Sequence, residues 1–278
     1  VSVWFVTGAS RGLGLEIVKA ALERGDSVVA TARDPRAVEE ALPGRPDNLL
    51  VAPMDVTDQG QVDKAVEAAV SRFGGIDVLV NNAGYGLVGA VEETSDAEAR
   101  GVFDINVFGL LTVIRAVVPV MRAAGRGRIL NVSSTGGVVA WAGWGVYSAT
   151  KFAVEGLTEA LRLELVPLGV QVTSVQPGPL RTDFLGSSSL RHVEAVIGDY
   201  ATTGGASRAW AGENHGAQEG DPVKAAAAIL TVADLGEMPA RIPLGTSTLN
   251  DIRAKLATVG AELDTWQELT RSTDHVGG

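Results

Sequence analysis

Residues 7–14 read TGASRGLG, directly after the strand-like run VSVWFV and directly before a helix-like run at 13–24. That context decides the fold, because a glycine pattern alone is a weak signal. Glycine permits a tight turn and close backbone approach to a pyrophosphate. A following helix N-terminus adds aligned N–H groups and the positive end of its dipole. The spacing Gly8-xxx-Gly12-x-Gly14 differs from the GxGxxG dinucleotide fingerprint. Outward from this loop, short Val-rich runs alternate with longer helical patterns, the signature of βαβ units and a parallel sheet. Strands are expected at 1–7, 27–31, 49–53, 78–81, 128–132, 170–175 and 241–244. Their continuous apolar character suits strands covered by helices on both faces. Helices are expected at 13–24, 35–42, 59–73, 96–124 and 146–168, with another after Asp221-Pro222, where Asp caps and Pro suits the first helical position. The fold class is therefore α/β, a doubly wound parallel sheet of about seven strands in three α/β/α layers.

The composition agrees with one domain. The chain has 278 residues, 46% of them hydrophobic, enough for one large core. A net charge of −10 argues against a general nucleic-acid binder and, more weakly, against anionic membrane surfaces. There are no cysteines, which excludes disulfides and thiolate metal sites and fits a reducing cytosol. No His/Asp/Glu cluster has metal-ligand spacing, so no metal is expected. The most apolar run, 107–121, is broken by Arg115 and Pro119 and is too short to span a bilayer. The chain opens in a strand-like run with no signal peptide visible, and the expectation is a soluble cytoplasmic protein.

One stretch leaves the α/β rhythm. Residues 183–220 carry SSS, TTGGAS and AGENHGAQEG. A loop this long inside a compact domain reads as a substrate-covering insertion with short helices, the alternative being a mobile surface loop. Residues 247–271 read as a helical C-terminal extension and 272–278 as a frayed tail. His192 and His215 in the insertion read as solvated.

The chemistry is concentrated in GVYSATKFAVEGL, where Tyr147 and Lys151 stand four residues apart. Residues at i and i+4 share a helix face, so phenol and ammonium can approach each other. A phenol has a pKa of roughly 10, and a cation held nearby lowers it. Ser133 and Ser134, at a strand end before the tyrosine, offer a hydroxyl to hold a substrate oxygen. These three groups make a proton-transfer site.

The cofactor that site serves is written at the tip of the second strand, Thr31-Ala32-Arg33-Asp34. NAD sites place an acid there for the ribose hydroxyls, whereas an Arg suits a 2′-phosphate. Ala32 stands where the acid is sought, Arg33 follows, and Arg11 in the glycine loop can reach the same phosphate. The reading is NADP(H), with NAD(H) less favoured. Asp34, before Pro35, reads as a helix N-cap. Asp55, after the third strand, is a partner for the adenine amino group or another N-cap.

With these pieces together the chain resembles the short-chain dehydrogenase/reductase family, in its single-domain form with TGxxxGxG and YxxxK motifs. Seven motifs stand in register: TGASRGLG at 7–14, DV at Asp55–Val56, NNAG at 81–84, Asn106 in DINVFG, NVSS at 131–134, YSATK at 147–151 and PGPLRT at 177–182. The resemblance implies a Rossmann-type fold and a tetrad of Asn106, Ser134, Tyr147 and Lys151. Tyr147 is then the general acid in reduction and, as phenolate, the base in oxidation. Lys151 lowers the tyrosine pKa and binds the nicotinamide ribose. Ser134, thirteen residues before the tyrosine, is selected over Ser133 to orient and polarise the carbonyl. Asn106 holds a water linking Lys151 to solvent. Gly8, Ser10, Arg11, Gly12, Leu13 and Gly14, with Arg33, Asp55 and Val56, bind the dinucleotide. Asn82, Ala83 and Gly84 line its adenosine ribose, and Pro177, Gly178 and Thr182 its carboxamide end.

Trp141 and Trp144 precede Tyr147 where the family forms one wall of its substrate pocket. They stack on a bulky substrate or simply pack in the core and interface. Trp210 is equally open. The leading expectation is an NADP(H)-dependent carbonyl reductase or alcohol dehydrogenase acting on a small to medium hydrophobic ketone or secondary alcohol. The rivals are a β-ketoacyl thioester reductase, which would want a basic entry patch, an epimerase or dehydratase that recycles its cofactor, and a silent dinucleotide sensor. The helices at 96–124 and 146–168 match those that pair subunits in the family, so a homodimer or homotetramer is expected.

Overall fold

In the first strand, β1 (Val3–Thr7), Trp4 and Val6 join one apolar cluster and Phe5 joins another. The same split recurs in β2 (Ser27–Ala32), where Val28 and Ala30 go one way and Val29 the other. A strand whose both faces are apolar must be covered on both sides, and helices supply the cover. The structure, a computed structural model, describes residues 1–44 and 46–275. The last three residues of the expected tail, 276–278, lie outside the described residues.

One face is closed by α1 (Gly12–Glu23), α2 (Pro35–Ala41) and α8 (Pro222–Ala233), through Ile17, Val18, Val38, Ala226 and Ile229. The other is closed by α3 (Gln59–Phe73), α5 (Leu110–Ala124) and α6 (Gly145–Leu165), through Val62, Val66, Val113, Met121 and Val154. Between the layers, β3 (Leu49–Pro53), β4 (Val78–Asn81), β6 (Gly127–Val132), β7 (Val170–Pro177) and β9 (Arg241–Leu244) complete the sheet. Its order is β3-β2-β1-β4-β6-β7-β9, and every pairing is parallel. This is the expected doubly wound sheet in three layers. The order reverses between β1 and β4, and such a switch point opens a crevice at the carboxyl ends of the strands.

Three features correct the expectations. The helix expected at 96–124 is α4 (Asp96–Phe103), a π-helical turn (Asp104–Gly109) and then α5. The turn widens where Gly109 meets Val56: a Cβ on that glycine would lie 2.5 Å from Val56 Cγ2. The run Asp96–Ala124 is also long and apolar enough to cross a bilayer, contrary to the shorter span read from sequence. Its Val113, Val117 and Met121 are fully buried against the sheet, as in a core helix. The third feature is a second, two-stranded parallel sheet of β5 (Gly86–Val88) and β8 (Leu190–His192), paired Gly86 to Leu190. It pins the 183–220 insertion to the body. The insertion itself carries short 3₁₀ turns and α7 (Gly204–Glu213), and the chain continues after β9 into α9 (Thr246–Arg271).

Candidate active site

The glycine loop is set by close approach. Gly8 has φ 65°, and a Cβ there would lie 2.9 Å from Ala83 Cα. A Cβ on Gly14 would meet Gly8 O at 2.4 Å and Asn82 Nδ2 at 2.5 Å. Asn82 Nδ2 donates to Thr7 O (3.0 Å) and Gly8 O (3.1 Å), while the Asn82 and Ala83 amides both donate to Thr7 Oγ1 at 2.9 Å. Asn82 thus braces the loop from the end of β4. No side chain caps α1, since Arg11 at its N-cap lends no hydrogen bond, so the first-turn amides are open to an anion. Leu13 buries its side chain in the core, which leaves only its backbone for a ligand.

At the tip of β2, Arg33 is exposed and makes no hydrogen bond or ion pair with any described residue. Asp34 is the N-cap of α2 as read: it accepts from the Arg36 amide and pairs with the Arg36 guanidinium, which holds its carboxyl below the usual range. Arg11 ties the glycine loop to the insertion: its Nη2 donates to Ser188 O at 2.7 Å and its Nε to Ser189 Oγ at 3.2 Å. Asp55 accepts from the Thr57 amide and hydroxyl and is not a helix cap, a role that falls to Asp58. Val56 packs on the π turn.

The other end of the crevice holds the titratable cluster. Tyr147, in the first turn of α6, is buried and lines the crevice beside Ser134. Lys151 Nζ donates to Val132 O at 2.9 Å and lies 5.9 Å from the Tyr147 ring centre. Burial pushes the phenol up to about 12, against the pull of the Ser134 hydroxyl, and draws the ammonium down to about 8, against the Glu155 carboxylate. Burial, rather than the neighbouring ammonium, is the largest influence on the phenol. Both groups are desolvated, and the ammonium is held by a carbonyl rather than by the phenol oxygen. Ser134 Oγ accepts from the Gly136 amide at 3.0 Å. Ser133 is buried with its hydroxyl against Gly137.

Asn106 sits in the π turn, and protein groups take up its amide. Its Oδ1 accepts from the Tyr85 amide (3.0 Å), and its Nδ2 donates to Tyr85 O (3.0 Å) and Thr150 Oγ1 (3.1 Å). These bonds make the side chain a brace. It fixes the backbone beside Gly84, where a Cβ would lie 3.0 Å from Asn106 Oδ1 and 3.7 Å from Lys151 Nζ.

The walls are partly unforeseen. Trp144 stands edge-on to Tyr147 at 5.8 Å, and Phe184 of the insertion lies tilted at 5.9 Å on its other side. Trp144 packs on the Val88, Leu185 and Leu190 cluster, whereas Trp141 is 43% exposed at the rim. Thr248, the one buried residue of α9, shares a 2.8 Å hydroxyl contact with Thr135, which also donates to Pro177 O. Gly178 donates to Leu244 O and sits so close to Thr248 that a Cβ would lie 2.4 Å from its hydroxyl. Thr182 caps the 3₁₀ turn Asp183–Leu185 and lies opposite Gly12. Phe184, Tyr85 and Thr248 were missed because no local pattern marks a lone aromatic or threonine as a site residue.

A buried ion pair anchors the insertion. Arg208 of α7 donates to Glu93 Oε2 at 2.6 Å, and the Glu93 side chain is fully shielded. The Arg208 hydrogen bond, then the Ile197 and Ala90 amides, hold Glu93 down to about 2. The resulting cavity, about 910 Å³, runs from Arg33 and Asp55 past Gly8 and Gly84 to Tyr147 and Trp210. Among the described residues there is no cluster able to hold a metal ion.

A switch-point crevice with an open helix N-terminus at one end and a buried phenol, hydroxyl and ammonium at the other defines a dinucleotide-dependent oxidoreductase. Residues 2–192 match the family model for short chain dehydrogenases. The chain belongs to the short-chain dehydrogenase/reductase family. It is 36% identical over 270 residues to oxidoreductase BOA17 of Botryotinia fuckeliana, covering 96% of this chain and 97% of that protein. A solved short-chain dehydrogenase from Streptomyces avermitilis superposes with a TM-score of 0.92 at 40% identity, over 99% of this chain and all of that one. A Burkholderia phymatum member solved with NAD shares the fold (TM-score 0.82, 23% identity, 94% and 95% covered).

Proposed function

We propose that this protein is an NADP(H)-dependent oxidoreductase that interconverts a ketone and a secondary alcohol, or an aldehyde and a primary alcohol, with Tyr147 as general acid and base. The observation that carries the reading is the buried Tyr147, which lines the cavity together with Ser134 and Lys151 and packs against Trp144 and Phe184. The cradle suits a dinucleotide, because Gly8 and Gly14 leave no room for a Cβ and the first turn of α1 is uncapped. Gly8, Ser10, Gly12 and the amide of Leu13 would hold its pyrophosphate, Arg33 its 2′-phosphate, and Asp55 its adenine. When bound, the cofactor supplies or accepts the hydride.

The chain's own groups manage the proton. At neutral pH a phenol held near 12 keeps its proton and is poised to donate it to a carbonyl oxygen. Ser134 holds that oxygen in line, and Lys151 lends positive charge beside the same point. Trp144, Phe184 and Trp210 suit an apolar substrate. A carrier-bound thioester is disfavoured, because Arg181 is tied to Gln218 O, Arg208 to Glu93, and Arg191 lies over the Tyr85 ring. Exposed Phe108 and Phe152 on the π turn and α6 support a homo-oligomer through those helices. The cytoplasm is the compartment we assign.

Tyr147→Phe tests the reading against a panel of ketones and alcohols with NADPH and NADH in parallel. Turnover should fall by roughly 10²–10⁴-fold while NADPH binding, read by nucleotide fluorescence, is kept. Turnover that survives the substitution would overturn the assignment, and so would net reduction of no panel member by the unaltered protein.

A further inference from the structure

We propose that α9 is an assembly element that pairs antiparallel with α9 of a second copy of this chain. The helix runs 26 residues, about 39 Å at 1.5 Å per residue, and only Thr248 in its first turn is buried. A helix this exposed has little to hold it in water without a partner along one face. The face exists. Leu249, Ile252, Leu256, Val259, Leu263 and Trp266 recur at alternating spacings of three and four residues, the 3.5-residue seam of a two-helix coil. Leu256, Leu263 and Trp266 are each about 60% exposed or more.

The sequence of the seam specifies its occupant. Laid antiparallel on itself, the helix matches Leu249 with the partner's Trp266, Ile252 with the partner's Leu263 and Leu256 with the partner's Val259. The two-fold axis repeats each match, giving six apolar layers in which the indole meets an aliphatic side chain. In the same register Lys255 flanks the seam opposite the partner's Glu262, and the axis makes that pair twice. A parallel register loses both ion pairs, since Lys255 then faces Gly260 and Glu262 faces Gln267, and it stacks one Trp266 on the other. The charges also speak against a lipid surface. Arg253, Lys255 and Arg271 are outnumbered by Asp251, Glu262, Asp264 and Glu268, and the whole chain carries −10.

The absence of cysteine from this chain makes the test direct. Sedimentation should show that Leu256→Glu with Leu263→Glu, both exposed and beyond the packed first turn of the helix, halves the assembly mass, while the thermal unfolding of the α/β body is retained. Lys255→Glu should weaken assembly, and adding Glu262→Lys should restore it. Single-cysteine chains, Leu249→Cys and Trp266→Cys, should form an oxidised cross-link when co-expressed and none when each is made alone. An unchanged mass in the double glutamate variant overturns the proposal. So does a Leu249→Cys chain cross-linking to itself, or co-sedimentation of the unaltered protein with phosphatidylglycerol vesicles that the glutamate variant abolishes.

Discussion

Arg33 projects from the tip of β2 with its guanidinium free of any described partner, whereas Arg11 gives its donors to Ser188 and Ser189. On the proposed NADP(H) reading, Arg33 is the group that meets the 2′-phosphate. Arg33→Ser should therefore raise the Kd for NADPH by tenfold or more, about 1.4 kcal/mol, and leave the Kd for NADH within twofold. Titration calorimetry with both nucleotides decides it, and equal losses would mean that Arg33 does not read the phosphate. Asp34 was legible as a cap because Pro35 fixes the helix start behind it. Asn106 and Arg11 were not, because their partners, Tyr85 and Ser188, come from segments far away in sequence. The sequence shows which groups are present at the phenol, but burial decides which charge they favour, and burial follows only from the fold.

At the scale of elements, α7 is held over the cavity by one buried ion pair and the Ser207 hydrogen bond to Ala142 O. Glu93 is depressed from 4.5 to about 2. A carboxylate with a lowered folded pKa contributes stability that is present above its unfolded value and lost as pH falls through the folded one. The cover should thus loosen between about pH 4.5 and pH 2. Arg208→Ala should bring the same loosening at pH 7, seen as faster hydrogen exchange in residues 198–213 with β1 and β4 unchanged. Unaltered exchange would show that the pair does not anchor the helix. The core strands were legible because burial on both faces makes them continuous apolar runs. Strands β5 and β8 were not: three residues give no period, and Gly86 is a poor strand former. Likewise, nothing in DINVFG announces a π turn, which arises where Gly109 meets Val56.

At the scale of the molecule, the cavity draws on the glycine loop, the sheet ends, α6, the insertion and the first turn of α9. A ligand that spans these parts stabilises the folded state as a whole. NADPH at 100 times its Kd adds about 2.7 kcal/mol, which for a chain of this size raises Tm by roughly 5–10 °C. Differential scanning fluorimetry with each nucleotide measures it, and a shift with NADH but none with NADPH would reverse the cofactor assignment. The seven strands and their parallel sheet were open to sequence reasoning through βαβ logic. The pairing of β5 with β8 was not, and it has a consequence for the time course of folding. Those strands lie about a hundred residues apart, so closing the loop between them is slow and waits on β6 and β7. The chain should reach a state with its sheet complete and its crevice still bare, and the roof should be both the last part to form and the first to open.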